Sequence, residues 1–129
     1  MEKIKTTTLN KNIETNHIGS KKWISRLDGV IQKNVDDIYL DNNKIANELQ
    51  ISERQLFRKV KELTDLTPQK YLKMQRLKKA MKFLKNGKYR TVKETAKAVG
   101  YTKSNYFSTQ FKNQFGKKPL VILRELGWR

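Results

Sequence analysis

IANELQISERQLFRKV, residues 45–60, sets two short apolar runs on either side of a break. Ile45, Ala46 and Leu49 recur at helical spacing, and so do Leu56 and Val60; each pattern predicts a helix with one face against a core. Asp41 or Asn42 stands where the first helix needs a cap. Ser52, with Gln55 three residues on, completes a capping box for the second. Arg54 and Arg58 stand four positions apart, so both fall on the side of the second helix away from its core.

The same outline returns later in the chain. Ala46 and Leu49 match Ala96 and Val99 at one offset. After one extra residue in the second turn, Leu56, Val60, Lys61 and Pro68 match Phe107, Phe111, Lys112 and Pro119. An ordered set of matches that includes both prolines and both lysines predicts an internal duplication. A short helix with a small alanine, a tight turn and a longer helix form a helix-turn-helix, in which the small residue lets the two helices cross closely.

The remaining pattern is helical as well. Trp23, Ile24, Leu27, Val30 and Ile31 predict a helix from Lys21 to near Asn34. Pro68 suits the first turn of a long helix carrying Tyr71, Leu72, Leu77, Ala80, Met81 and Leu84 on one side, ended at Asn86-Gly87. Helices over Val92–Val99 and Ser104–Phe115 follow, and Pro119 opens a last one carrying Leu120, Leu123 and Leu126. No segment offers strand alternation, so the expected fold is all-α with seven helices. Residues 1–20, polar and without sustained period, read as a flexible tail. Residues 21–67 read as the first helix-turn-helix subdomain, 68–87 as a linker helix and 88–129 as the second subdomain.

Composition narrows the function. The 129 residues hold 29 Lys and Arg against 12 acids, a formal net charge of +17. Such an excess repels itself in a compact state and points to a polyanionic partner: nucleic acid, an anionic membrane surface or an acidic protein, with nucleic acid favoured. The chain has no cysteine, which excludes disulfides, thiolate zinc sites and a cysteine nucleophile. No apolar run long enough to span a bilayer appears, nor the apolar centre of a secretory signal. The expected location is cytoplasmic.

The outward faces of the longer helices are the candidate binding surfaces. At about 100° per residue, Leu56, Val60 and Leu63 cluster on one side, while Arg54, Arg58 and Lys61 fall opposite. Gln55 lies on their flank and Phe57 on the other edge. A helix laid in the major groove needs this division, because the forked guanidinium of Arg donates twice to guanine and Gln can pair likewise with adenine. The competing reading is an ordinary solvated face. In the second long helix Phe107, Phe111 and Phe115 turn inward, leaving Asn105, Ser108, Thr109 and Lys112 outward. These side chains can hydrogen-bond bases or phosphates with less charge than the first set. Between the two units, Leu66 to Lys93 holds ten basic residues and no acid, a repulsion that phosphates would relieve. A helix from Pro68 to Asn86 is about 28 Å long at ~1.5 Å per residue, against the ~34 Å between successive major-groove faces.

These residues resemble the DNA-binding domain of AraC/XylS transcriptional regulators over roughly Trp23 to Leu126. The resemblance rests on ISERQLFRKVKELTDLTPQKYL, RLKKAMKFL and VKETAKAVGYTKSNYFSTQFKNQFGKKP. It implies seven helices, two helix-turn-helix units joined by a long helix, and the second helix of each unit in the major groove. It implies that Arg54, Phe57 and Arg58 face DNA in the first unit, and Asn105, Ser108 and Thr109 in the second. The family commonly has Arg where Thr109 stands, glycine where Asp65 stands and tyrosine where Ile122 stands. Members usually carry a separate sensing or dimerising domain, so the chain is either a compact member or the C-terminal part of a larger parent with such a domain upstream.

Other functions are weaker. His17 stands alone in the polar tail, Asp36-Asp37 lies at a predicted helix end, and no phosphate loop, metal spacing or catalytic triad appears. No cofactor and no metal site are expected. A non-specific basic nucleic-acid-binding or ribosome-associated protein would share the charge and lack the preference among sequences. Membrane association through the basic helix would need the apolar stripe that joins the two halves.

Overall fold

Side chains placed just before several of the helices satisfy their unbonded N–H groups and set where those helices begin. The computed structural model describes residues 19–127, which hold seven helices and no strand. The first, α1, covers residues 19–33. It is followed by α2 (Asn42–Leu49), α3 (Glu53–Thr64), α4 (Pro68–Lys85), α5 (Val92–Ala98), α6 (Ser104–Phe115) and α7 (Pro119–Glu125). The expected tail through residue 18, His17 included, lies outside the described residues, while Gly19 and Ser20, assigned to that tail, already belong to α1.

Asp41 accepts from the Lys44 amide at the start of α2. Ser52 and Gln55 exchange bonds as the expected capping box of α3, and Thr91 and Glu94 form a second box on α5. Thr67 caps α4, with Pro68 in its first turn. Each such cap is worth about 1 kcal/mol. Lys103 and Lys118 stand at the N-caps of α6 and α7 and provide no side-chain bond, so these helices depend more on their packing.

The duplication is visible in the backbone. The turn after α2 passes through Gln50 at φ +60°, and the turn after α5 through Gly100 at φ +88°. The caps of α3 and α6 are Asp65 at φ +63° and Gly116 at φ +81°. Left-handed backbone favours glycine; an aspartate tolerates it better than most residues, so the Asp65 departure leaves this turn formed.

Two cores flank α4. Trp23, Leu27 and Ile31 of α1, Ile45, Ala46 and Leu49 of α2, and Leu56 and Val60 of α3 close on Tyr71 and Leu72 of α4. Leu77, Ala80 and Leu84, further along α4, join Ala96, Val99, Phe107, Phe111, Ile122 and Leu123 in the second core. The apolar residues of α4, expected on one side, thus divide between two cores along its length. Val35, from the turn after α1, enters the second core. From α4, Tyr71 reaches back to α1, its hydroxyl donating to Asp28 at 2.6 Å. Burial and this bond to a carboxylate both raise the phenol above its ordinary range.

Some apolar side chains differ from expectation. Leu63, in the last turn of α3, is 37% exposed and lines a surface concavity with Ile24 instead of the core. In α7 the buried side chains are Pro119, Ile122 and Leu123. Leu120 points about a quarter-turn away from that face, and Leu126 falls beyond the helix end, so both are exposed.

Leu77 is fully buried at the junction. Leu77→Ala should cost about 2–5 kcal/mol through lost contact and the cavity left behind, read as a drop in stability in urea denaturation.

Candidate nucleic-acid interface

Helices α3 and α6 present the same arrangement of faces. Each is 12 residues long, and their positions pair as Arg54 with Asn105, Phe57 with Ser108, Arg58 with Thr109 and Lys61 with Lys112. The inward positions pair Leu56 with Phe107 and Val60 with Phe111, all four fully buried. Because the apolar faces are pinned in two cores, the outward faces have no freedom to rotate inward. The structure places Arg54, Phe57, Arg58, Lys61, Asn105, Thr109 and Lys112 in solvent and Ser108 half-buried.

No ion pair among the described residues engages Arg54 or Arg58; the pairs present join Lys33 to Glu48, Lys44 to Asp37 and Lys117 to Glu125. Phe57 is 49% exposed between these cations. An aromatic ring held in water beside guanidinium groups loses apolar burial unless a partner covers it. Lys61 reaches only the Asp65 carbonyl, at 3.4 Å. Gln55 is more constrained, since its carboxamide oxygen accepts from the Ser52 amide at 3.0 Å. Two-point pairing with adenine needs both the oxygen and the nitrogen of the amide, so the cap occupies half of that recognition group.

On α6 the four expected residues line one concavity of about 480 Å³ together with Asn113 and Lys118. The Thr109 hydroxyl donates to the Asn105 carbonyl at 3.1 Å, which leaves its oxygen an acceptor toward a ligand. Lys118 was not among the residues read from the sequence. It reaches this face because the chain turns at Gly116 and brings the start of α7 back beside α6. Its place before Pro119 was the only signal available.

The basic run between the units splits. Lys70, Lys78 and Lys82 are exposed. Lys79 lies over the Phe83 ring at 5.2 Å, and Lys73 donates to Gln110 of α6 at 3.1 Å. Arg76, counted from sequence with the charges that phosphate would relieve, is 7% exposed and bonded to backbone carbonyls. It is internal because three acceptors there satisfy it, and burial pulls its guanidinium below the usual range.

Between the two halves lies a groove of about 370 Å³, walled by Ile38, Leu40, Leu72, Tyr101 and Tyr106 with Lys73 and Lys103 at its edges. Burial pushes the Tyr101 phenol up to about 12; the Arg76 charge opposes this, and Tyr106 adds to it. Asp37 is held below the ordinary carboxylate range by its bond to Lys44 and by the Tyr39 amide.

With two matching units on one helix established, comparison with known proteins identifies the family. The model of the helix-turn-helix domain matches residues 45–125. The chain belongs to the AraC-type helix-turn-helix family. It is similar to the HTH-type transcriptional activator RhaS of Escherichia coli O1:K1 / APEC, 38% identical over 78 residues, 60% of this chain and 28% of that protein. The chain therefore spans well under a third of the length of the curated relatives it matches. Among solved structures it is similar to the C-terminal domain of AraT, a response regulator from Geobacillus stearothermophilus. That match has a TM-score of 0.69 at 29% identity, covering 79% of this chain and 84% of AraT's. An AraC-type DNA-binding-domain regulator from Chromobacterium violaceum shares the fold with a TM-score of 0.76 at 24% identity, over 85% and 96% of the two chains. Among the described residues no helix is long and apolar enough to cross a membrane.

A tyrosine whose folded pKa exceeds its unfolded value stabilises the fold below the unfolded value and loses that contribution as pH rises through the folded one. Stability should therefore fall between about pH 10 and about 12. In Tyr101→Phe the slope of urea-derived stability against pH in that window should be shallower than in the parent chain.

Proposed function

We propose that the chain binds double-stranded DNA sequence-specifically as the DNA-reading part of a transcriptional regulator, laying α3 and α6 in successive major-groove segments along one side of a duplex. The observation that carries this reading is the pairing of two equivalent helices, each pinned by its apolar face and polar on the other, at opposite ends of one 18-residue helix. That helix is about 27 Å long at ~1.5 Å per residue, a spacing compatible with one turn of B-DNA. Similarity to RhaS, a transcriptional activator by its name, supports it.

The roles follow from donor geometry. Arg58 and Arg54 have the forked donors that suit guanine O6 and N7, and Phe57 between them suits the methyl of thymine. In α6, Asn105 can pair with adenine and the Thr109 oxygen accepts singly. Lys61, Lys112 and Lys118 serve phosphates, which fix position without reading sequence. Gln55, held by its cap, orients the start of α3. The first unit, with two free guanidinium groups, discriminates bases more strongly than the second. A sensing or dimerising domain upstream in a longer parent completes the regulator, and the work takes place in the cytoplasm with the DNA.

Selection of bound duplexes from a random pool is the direct test. The expected motif has two half-sites about 10–10.5 base pairs apart. On that motif Arg58→Ala should cost ~1–3 kcal/mol and relax preference at one base position, with a smaller loss on random DNA. Equal affinity for every duplex would favour the non-specific nucleic-acid-binding alternative and overturn this reading.

A further inference from the structure

We infer that Arg76 is the positioning residue that fixes how the two helix-turn-helix units sit relative to each other, and thereby which half-site spacing the protein accepts; the spacing role rests on the DNA binding proposed above. Arg76 stands near the middle of α4, where one core gives way to the other. Its Nη1 donates to the carbonyls of Val35 at 3.0 Å and Val99 at 2.7 Å, and its Nη2 to the carbonyl of Asp37 at 2.9 Å. Val35 and Asp37 lie in the segment after α1, in the first half. Val99 caps α5, in the second. One planar group on the rod therefore holds backbone from both units at once.

The chemistry suits a clamp. The Val99 carbonyl comes from the end of α5, where acceptors lack intrahelical partners and the dipole favours a cation, and those of Val35 and Asp37 come from the irregular segment after α1. A guanidinium sends its donors out in fixed directions within one plane, whereas an ammonium has neither plane nor reach. Apolar packing of α4 against two cores is non-directional and resists rocking about the rod less than directed bonds do. Three bonds at set angles limit that rocking.

The second turn is shaped to admit this group. A Cβ on Gly100 would lie 1.4 Å from Arg76 Nη1 and 2.8 Å from the Val35 carbonyl. The equivalent position in the first unit, Gln50, carries a full side chain at a similar backbone angle. Left-handed geometry alone therefore does not demand glycine in this repeat. The contact with Arg76 does, and it exists on one side only, which a bridge between unlike halves requires.

Two measurements test the inference, with Arg76→Met keeping an unbranched apolar stem while removing the guanidinium and its bonds. The chain has no cysteine, so spin labels at Glu62→Cys on α3 and Lys97→Cys on α5 report one inter-unit distance without DNA. The parent chain should give a narrow distribution, and Arg76→Met a broad or shifted one at unchanged helix content. On the selected motif, two inserted base pairs rotate one half-site by roughly 70°. The parent should then lose ~10²-fold or more in affinity, as for linked modules that can no longer engage together, and the variant about tenfold or less. Arg76→Lys, milder for folding, should move both readouts the same way by less. An unchanged distance distribution, or a spacing profile as steep as the parent's, overturns the clamp. Should selection return no preferred motif, the DNA reading fails, and the distance measurement alone judges Arg76.

Discussion

Burial of α4 by two separate sets of side chains is the constraint from which the remaining architecture follows. Tyr71 and Leu72 complete a core made by α1, α2 and α3, and Leu77, Ala80 and Leu84 complete one made by α5, α6 and α7. Neither set of short helices closes a core without its segment of α4. The 18-residue helix consequently acts as a shared wall, and each unit's orientation is referred to it. Val35 crossing into the second core and the carbonyls gathered by Arg76 extend that dependence from the wall to the units themselves.

That arrangement also explains the electrostatics. A chain with a net charge of +17 has few acids with which to neutralise itself, and two of those near the junction are already engaged in bonds. Asp28 accepts from Tyr71, and Asp37 accepts from Lys44 and from its own turn. The guanidinium groups on α3 are left without ion pairs beside an exposed phenylalanine. The exposed ring forgoes apolar burial and the like charges repel, and the DNA contact proposed above would relieve both.

The two units are alike in build and unlike in chemistry. The first has Arg54 and Arg58 where the second has Asn105 and Thr109, and α3 begins with a capping box where α6 has none. The second has three phenylalanines in contact along α6, with ring centroids 5.8 and 4.7 Å apart, where the first has Leu56, Val60 and Thr64. Its helix is held by bulk at the core and the first by local bonds at its start, so the same orientation is reached by different means.

Local chemistry made much of this legible in the amino-acid order. Capping residues, prolines, glycines and helical periodicity act within a few residues of themselves, so Ser52, Pro68, Gly116 and Pro119 marked helix ends close to where they stand. The repeat of Leu56 and Val60 as Phe107 and Phe111 indicated two like units, and with them the outward faces of α3 and α6. Tertiary structure alone decided what depends on residues distant in the chain. Arg76 has the same local signature as the lysines around it; only the approach of Val35, Asp37 and Val99 from two directions makes it internal. Lys118 joins α6, and Leu63 leaves the core, because of where neighbouring helices turn. Periodicity records that a residue faces something, and a fold is needed to say what it faces.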